Sequence, residues 1–454
     1  MTPPLCSRVS ANCRRAEPTI HSLSTNYPPI VASPTTDVER NLEMPNVLRT
    51  NNVLRTNRDL RILFIAQNLS FMGDWFTFVA LAGLVQDVTR SALLVSLLLV
   101  AFSLPSFLAS PIGGPVADRY DRRTVLVIVS LAQALAACGL LFIGESQIWL
   151  AFVSQGLIAA FAAFVRPAVE AAVPNLARSP EELRSANALF GSSWGVMLAV
   201  GAGLGGVFAE VFGRQAAFIA DIATFVVAAG LIAMIKQPMQ EDRGPHRAPV
   251  RPIADMREAI QLARRDTMIM ALLASKMTFA IGAGVVSQLA VYAADAFSSG
   301  DAGRGMLLGA RGVGSGIGPI IGARFAKGDV RRVLLVCGVS GLIFSVGYIA
   351  ASAAPFLIIA AVCVMFAHLG GGAQWTLSTY GLQVSAPDEM RGRLLAGDFA
   401  LITLTLAVSS VAAGLVSEQI GARGTVAVFG ALAAASSLVY LALTSKLRAG
   451  ATST

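Results

Sequence analysis

Long apolar segments dominate this chain and restrict the folds open to it. From residue 61 onward, twelve such segments alternate with charged or glycine- and proline-bearing turns, and each has about the 20 residues that a helix needs to cross a bilayer. Their approximate bounds are 61–86, 91–112, 124–143, 147–168, 187–211, 215–235, 267–293, 304–325, 332–352, 355–380, 394–417 and 423–444. Only 14% of the residues are charged and 55% are hydrophobic, whereas soluble domains carry about 25% charged residues. The sequence therefore predicts an all-α membrane protein with twelve transmembrane helices.

Polar stretches divide the chain into five parts. The predicted parts are an N-terminal tail at 1–58, a six-helix bundle at 59–236, a linker at 237–266, a second six-helix bundle at 267–447 and a C-terminal tail at 448–454. The N-terminal tail is basic and without apolar periodicity, so we expect it to be disordered, and Met44 is an alternative start. In the linker, apolar residues at helical spacing and a basic face between Ile253 and Arg265 predict an amphipathic helix on the membrane surface.

The basic residues determine the predicted orientation. Lys and Arg are retained in the cytoplasm during insertion, and placing the N terminus there assigns 29 of the 35 Lys and Arg to cytoplasmic segments. We therefore expect a multi-pass protein of the cytoplasmic (inner) membrane with both termini in the cytoplasm. The net charge of +8 requires no nucleic-acid partner, because anionic membrane lipid balances it. The five cysteines have neither the spacing of a disulfide framework nor that of a zinc site.

One charged turn between apolar segments occurs twice. After the second segment the chain reads Gly113-Gly114-Pro115-Val116-Ala117-Asp118-Arg119-Tyr120-Asp121-Arg122-Arg123. Its skeleton returns 208 positions later as Gly322-Ala323-Arg324-Phe325-Ala326-Lys327-Gly328-Asp329-Val330-Arg331-Arg332. The same shift of 208 relates Glu210 to Glu418, which we interpret as symmetric caps at the outer ends of helices five and eleven. We interpret the two bundles as a duplication with one membrane orientation, which is typical of a two-halved transporter.

The run from Gly114 to Arg123 resembles the signature between helices two and three of the major facilitator superfamily, and the resemblance covers residues 59–447. Shorter stretches resemble a bacterial exporter branch that contains macrolide efflux proteins and the enterobactin exporter. These stretches are Gly73-Asp74-Trp75, Arg166-Pro167-Ala168, Glu181-Glu182-Leu183 with Ala186-Asn187, and Gly203-Leu204-Gly205-Gly206. The resemblance implies the major facilitator fold of two pseudo-symmetric bundles, with helices one, four, seven and ten around a central cavity.

The resemblance also implies a conformational gate in the first copy of the charged turn. Asp118 would clamp the two halves on the cytoplasmic side, near the start of helix eleven, and Gly114 would permit close helix contact. The residues that would tie neighbouring loops are Arg119, Arg122 and Arg123. This chain departs from the family at three positions: Asp121 replaces a usual glycine, Ala326 replaces the acid of the second copy, and Phe152 stands where proton-linked drug exporters often carry an arginine. The alternative is that these charges only anchor the protein by the positive-inside rule.

Ionisable and polar residues inside the predicted spans are the candidates for a transport site, because such groups are costly in a bilayer and usually face a cavity or a partner. Asp74, about halfway along helix one, is the candidate for a proton or cation site, and Gln67 and Asn68 lie on the same helix. Lys276 in helix seven could pair with Asp74 across the two halves. The alternative for both is a structural pair that only fixes helices.

Helix ten carries further candidates. His368, Gln374 and Trp375 could contact substrate or relay a proton, although a lone histidine is more often a packing residue. The other polar residues of the spans are interpreted as structural: Arg311, Asp221, Asp398 paired with Arg393, and Glu170 paired with Arg166. Glycine runs at 201–206 and 312–318 have the spacing that lets helices approach closely.

These patterns favour a secondary active exporter that works by alternating access and moves an amphipathic small molecule, such as a drug, a macrolide or a siderophore-like compound. We expect a proton gradient as its energy source, no cofactor, no metal and a monomer, since the chain lacks a Walker sequence for ATP. Enzymatic activity has no support, because no nucleophile, base and orienting acid stand together on one side of the membrane. The alternatives are an importing permease of the same fold, a lysophospholipid flippase and a membrane scaffold that transports nothing.

Overall fold

The computed structural model describes residues 53–240 and 252–449. Within these two ranges the chain is helical and contains no β-strand. Most of the predicted N-terminal tail, including Met44, lies outside the described residues, as do residues 241–251 of the linker and residues 450–454.

Six long helices form the first half of the described chain. They are α1 (Arg58–Thr89), α2 (Ala92–Arg119), α3 (Arg122–Cys138), α4 (Trp149–Leu176), α5 (Pro180–Phe212) and α6 (Arg214–Ala233). Several begin at a side chain that accepts a hydrogen bond from the first turn, as Ser91 does for α2 and Asp121 for α3, and such a cap stabilises a helix by about 1 kcal/mol. Asp121 therefore has a structural role at the position where the family usually has glycine.

The second half repeats this order after a linker helix. Its elements are α7 (Pro252–Arg265), α8 (Thr267–Gly282), α9 (Leu289–Phe297), α10 (Asp301–Ala326), α11 (Val330–Ser352), α12 (Leu357–Ser385), α13 (Asp388–Leu443) and α14 (Ser445–Ala449). A 3-10 segment, Ala283–Gln288, joins α8 to α9. At this break Gly284 packs against α13, and its N–H donates to Ser409 Oγ at 3.0 Å. Asp329 caps α11 as Asp121 caps α3, which repeats the cap 208 positions later.

Ten stretches of the described residues have the length and hydropathy of a membrane-crossing helix. One of them lies in α13, which is two helices joined at Gly421, where φ is 74° and the backbone is not helical. The helix α10 is 26 residues long but is not among the ten, because eight glycines and four charged residues reduce its hydropathy. With α13 divided and α10 included, the long helices agree with the twelve that the sequence predicts.

The helices run between two ends of the bundle. We call the end with residues 58, 122, 236 and 445 the near face, and the end with residues 89, 214, 301 and 421 the far face. Hydrogen bonds fix the near face of the first half, where Asn57 Nδ2 donates to the carbonyl of Leu176 at 2.9 Å and the N–H of Gln237 donates to Asp59 at 3.0 Å.

The two halves meet most closely where α5 of the first half packs along α10 of the second half. A Cβ added to Gly206 would lie 2.8 Å from the Cα of Gly305, so neither position has room for a side chain. Farther along α5 and α10, toward the near face, Gly312 packs against the backbone of Ala199. On the opposite side of the interface Gly414 of α13 packs against Leu93 of α2. The close approach predicted for the glycine runs is therefore confirmed, whereas sliding between them stays a prediction.

We expect Gly206→Ala to reduce the free energy of unfolding by roughly 1 to 3 kcal/mol, because overpacking a tight contact costs that much. The measurement is thermal unfolding of the purified protein in detergent. Gly203→Ala is the matched control, since a Cβ at Gly203 on the same helix meets nothing within 4 Å. Equal stability of the two variants would contradict the contact between Gly206 and Gly305.

Candidate functional site

Two carboxylates lie together in the membrane-spanning part of the first half. Asp74 of α1 is partly buried, and Asp221 of α6 is fully buried. The hydroxyl of Thr77 donates to Asp221 Oδ2 at 2.7 Å, and that of Thr224 donates to the backbone carbonyl of Asp221 at 2.7 Å and lies 3.4 Å from Oδ1. Gly73, the residue before Asp74, packs directly against Asp221, because a Cβ added there would collide with Asp221 Oδ1. Among the described residues Asp74 takes part in no hydrogen bond. Sequence reasoning treated Asp221 as structural and missed its proximity to Asp74.

Gln67 and Asn68 differ in their surroundings. Asn68 Nδ2 donates to the carbonyl of Phe64 on its own helix at 2.7 Å, so its amide is partly satisfied within α1. Gln67 borders a cavity of about 20 Å³ that Ser130 and Gln133 also line, and its Oε1 has no partner among the described residues. A polar cavity of this volume holds about one water molecule.

Among the described residues, Lys276 has its partners in the second half, which corrects the predicted pair with Asp74. Its ammonium group pairs with Asp398 of α13, donates to Thr379 Oγ1 at 2.7 Å and lies 5.4 Å from the ring centre of Trp375. Lys276 and Asp398 are both almost fully buried. A buried ion pair of this kind fixes the two helices that carry it, since removal of either partner leaves an uncompensated charge.

The predicted pair of Asp398 with Arg393 is therefore also wrong. The two residues are five positions apart on one helix, and 100° per residue places them on different sides of α13. Arg393 instead pairs with Glu258 of the linker helix α7. The pair of Glu170 with Arg166 is present, at 2.8 Å, on the exposed surface of α4.

The candidates on α12 lie within the packed second half. His368 is 2% exposed; its Nε2 is 2.9 Å from Tyr348 Oη and its Nδ1 is 3.4 Å from Ser315 Oγ. Gln374 Nε2 donates to the carbonyl of Ser275 at 2.5 Å and to Thr278 Oγ1 at 2.8 Å. These buried hydrogen bonds agree with the alternative that His368 and Gln374 pack the interior of the second half. Trp375 differs, because it keeps 38% of its surface exposed.

Two arginines of the charged turn hold loops at the near face. Arg122 is fully buried, and its Nη1 donates at 2.8 Å both to the carbonyl of Ala171 in α4 and to that of Met239 after α6. Arg123 Nη2 donates to the carbonyl of Gln237 at 3.3 Å. Arg119 is exposed. The structure describes neither the side chain of Asp118 nor the surroundings of Gly114, so the clamp at Asp118 stays a prediction.

A cluster of four charges at the far face joins the two halves, and sequence reasoning missed it. Arg214 of α6 binds Asp87 of α1 at 2.5 Å and Asp301 of α10 at 2.7 Å. Arg304 of α10 binds the same two carboxylates at 2.8 and 2.6 Å. We call these four residues the far-face cluster. Two signals in the sequence pointed to it. Asp301 and Arg304 are three residues apart at the start of a helix, and Arg214 and Arg304 lie at the end of the bundle where basic residues are otherwise rare.

Two glutamates cap helices of the opposite half at the same face. Glu210 of α5 accepts the backbone N–H of Asp301 at 2.6 Å, and Glu418 of α13 accepts the backbone N–H of Leu93 at 3.3 Å. Both the glutamates and the capped residues are 208 positions apart, so the duplication reproduces the contact in both directions. This agrees with the expected symmetric caps and adds that each cap crosses between the halves.

Further hydrogen bonds close the far face. Gln86 Nε2 donates to Asp295 at 3.3 Å, and Gln288 Nε2 donates to Ser96 Oγ at 2.5 Å. Gln288 Nε2 also donates to the carbonyl of Ala92 at 3.3 Å, and the hydroxyls of Ser96 and Ser287 lie 2.9 Å apart. Together with the charge cluster and the caps, these are the hydrogen bonds that join described residues of the two halves. All of them lie toward the far face.

Known transporters share this architecture. Over 86% of this chain and 96% of that chain, the structure superposes on a POT family transporter solved with a thioalcohol-conjugated peptide, with a TM-score of 0.70 and 10% identity. A bacterial homologue of the human lysosomal transporter Spinster, in an inward-facing and unoccupied conformation, gives a TM-score of 0.64 at 16% identity over 85% of this chain and 94% of that one.

Curated relatives come from Bacillus subtilis. A proposed bacilysin exporter, BacE, is 22% identical over 79% of this chain and 89% of its own length. Multidrug resistance protein 1 is 25% identical over 39% of this chain and 44% of its own length. The chain spans about half the length of an uncharacterised MFS-type transporter, YfiS, at 23% identity over 47% of this chain. The sequence profile described as Major Facilitator Superfamily matches residues 63–302, and this chain therefore belongs to the Major Facilitator Superfamily.

Proposed function

We propose that the protein is a proton-coupled secondary exporter of an amphipathic small molecule that works by alternating access. Its near face would lie in the cytoplasm, since the basic residues of the sequence concentrate there. The relatives named as an exporter and as a multidrug resistance protein support the direction of transport. The observation that carries the proposal is the pair of carboxylates at Asp74 and Asp221.

Proton coupling follows from the chemistry of that pair. Two carboxylates in one poorly solvated site hold a single negative charge at lowest cost when they share a proton. The carboxylate of Asp221 accepts a hydrogen bond from the hydroxyl of Thr77, whereas Asp74 has no such partner among the described residues. Asp74 is therefore the carboxylate free to change its protonation and its contacts during a transport cycle. A proton gradient then serves as the energy source, and the chain requires no cofactor.

Alternating access follows from the kind of contact at the far face. Ion pairs, caps and amide contacts join the halves there, and each can break without unfolding a helix. Asp87 keeps 42% of its side chain exposed and Arg214 keeps 22%, so water reaches the far-face cluster and limits the energy of each ion pair. The near-face lock of the opposite state would involve Asp118, as the resemblance implies.

Aromatic rings support an amphipathic substrate. In the first half Trp75 contacts Phe102 and Trp194, with ring centres 5.7 and 6.3 Å apart. In the second half Trp375 lies 6.4 Å from Phe279. Trp194 and Trp375 remain 44% and 38% exposed, which leaves ring surface in each half for an apolar or aromatic ligand.

We expect Asp74→Asn to abolish proton-driven transport while exchange without a gradient continues, because an amide cannot carry the proton. The measurement is ethidium accumulation in inside-out vesicles energised by a pH gradient, beside counterflow of ethidium at equal pH. Asp221→Asn should show the same separation.

Asp329→Asn is the matched control for these two variants. It makes the same chemical change at an exposed helix cap where asparagine serves equally well, so both activities should be kept. Gradient-driven accumulation by Asp74→Asn at the wild-type rate would overturn the assignment of the proton site.

We expect Arg304→Gln to open the far face, because the change leaves Asp87 and Asp301 with one arginine between them. Spin labels at Val88 and Phe356, which are exposed at the far face in opposite halves, should report a longer distance than in the parent protein. Breaking a buried pair costs about 3–5 kcal/mol, and the partial exposure of Asp87 reduces this figure.

Arg423→Gln is the control for the Arg304→Gln variant. Arg423 also lies at the far face, but its guanidinium donates to the carbonyls of Ser352, Ala354 and Ala296 within its own half. Its loss should leave the distance distribution unchanged. An equal shift in both variants would show that the far-face cluster does not act as the lock.

A further inference from the structure

A groove of about 1080 Å³ lies in the second half toward the near face, outside the site described above. The helices α10 and α11 form its walls, and α12 forms its floor. The apolar side chains that line it include Ile321, Phe325, Leu335, Val339 and Phe366. All five are more than 40% exposed, so the groove opens to the surroundings of the bundle. Its volume reaches the upper end of the roughly 300–1,000 Å³ that is usual for sites of small molecules.

Basic side chains form the end of this groove that lies at the near face. They are Lys327, Arg331, Arg332 and Arg448, and every charged residue among those that line the groove is basic. Lys327 ends α10 in a left-handed conformation, with φ 48°. Arg332 lies 3.8 Å from Asp329, a long contact to a carboxylate that is itself partly exposed. The groove is thus apolar at membrane depth and cationic where the helices leave the membrane.

The equivalent surface of the first half is covered by the chain itself. The counterpart of Arg331, 208 positions earlier, is Arg123, and its guanidinium donates to the carbonyls of Lys236 and Gln237. Met239, further along this segment, is 1% exposed. In the second half the chain after α13 forms α14, and Arg448 donates to Leu441 in the last turn of α13 and to Thr444, which follows that helix. The segment after the last long helix therefore takes a different course in the two halves.

We propose that this groove binds one anionic phospholipid from the leaflet at the near face. Its acyl chains lie between α10 and α11, and its phosphate lies against Lys327, Arg331 and Arg332. An acyl chain matches the apolar walls, and a negative head group matches the cationic end. A zwitterionic lipid of the same chain length fits the walls equally but gains less from the basic side chains.

Native mass spectrometry of the full chain in detergent tests this proposal. Phosphatidylglycerol and phosphatidylcholine with identical acyl chains are the two probes. We expect one retained phosphatidylglycerol per protein and a preference of at least about tenfold over phosphatidylcholine, given the attraction of each basic side chain to anionic lipid. Equal retention of the two lipids would overturn the proposal.

Variants that remove basic side chains test whether the lipid binds at this groove. The triple variant Lys327→Gln, Arg331→Gln, Arg332→Gln should lose the preference. A control with the same charge loss at the near face of the first half, Arg166→Gln, Arg184→Gln, Lys236→Gln, should keep it. Loss of the preference in both would show diffuse attraction by surface charge and would overturn the site.

A substitution within the groove distinguishes the contribution of its apolar walls from that of its basic residues. Val339→Trp fills the apolar part and keeps all four basic residues, so it should reduce retention of both lipids while thermal unfolding stays as in the parent protein. Unchanged retention would place the lipid elsewhere. Removal of residues 450–454 should leave binding unchanged; a gain in lipid binding by the shortened chain would identify the C-terminal tail as the occupant and would overturn the proposal.

Discussion

The carboxylate of Asp301 is the point on which the joining of the two halves depends. It accepts Arg214 from the first half and Arg304 from its own helix, while its backbone N–H is capped by Glu210 from the first half. Because the far-face cluster contains two acids and two bases, it carries no net charge, and no ion is left unpaired in a poorly solvated place. The start of a helix also favours a negative side chain through its exposed N–H groups. Helix capping and ion pairing therefore coincide at one residue, and the packing of Gly206 against Gly305 lies directly below it.

The candidate transport residues of the two halves differ in their partners, although the fold repeats. In the second half Lys276 has Asp398, Thr379 and the ring of Trp375, and both nitrogens of His368 have hydroxyl neighbours. In the first half Asp74 has no hydrogen bond among the described residues and lies beside another acid. Buried polar groups are ordinarily paired, and an exception in a membrane-spanning segment indicates function. The proposed coupling site therefore lies in the first half.

The sequence predicts where the helices of this protein lie along the chain far better than which side of each helix contacts a neighbouring helix. Hydropathy and the 208-residue repeat give twelve spans and two halves, because both depend only on order along the chain. Weak hydropathy did not hide α10, because it lies 208 positions after α2 and repeats Pro111 and Gly114 of that helix as Pro319 and Gly322. The pairing of Asp74 with Lys276 failed because position along a helix does not fix the side that faces a neighbour. The far-face cluster was missed for the same reason, since its members come from three helices that meet only in the folded chain.

The far face keeps both copies of a duplicated contact, whereas the near face keeps the acid of the charged turn in one copy. This difference affects how the two states of a transport cycle are held. At the far face both copies of the glutamate cap are kept, at Glu210 and Glu418, and each crosses to the other half. At the near face the second copy of the charged turn has Ala326, which is 2% exposed and packed, where the first has Asp118. A state closed at the far face is therefore held by contacts on both sides of the interface. Under the proposed mechanism, a state closed at the near face relies on an acid in one copy only, so the duplicated fold itself favours the conformation closed at the far face.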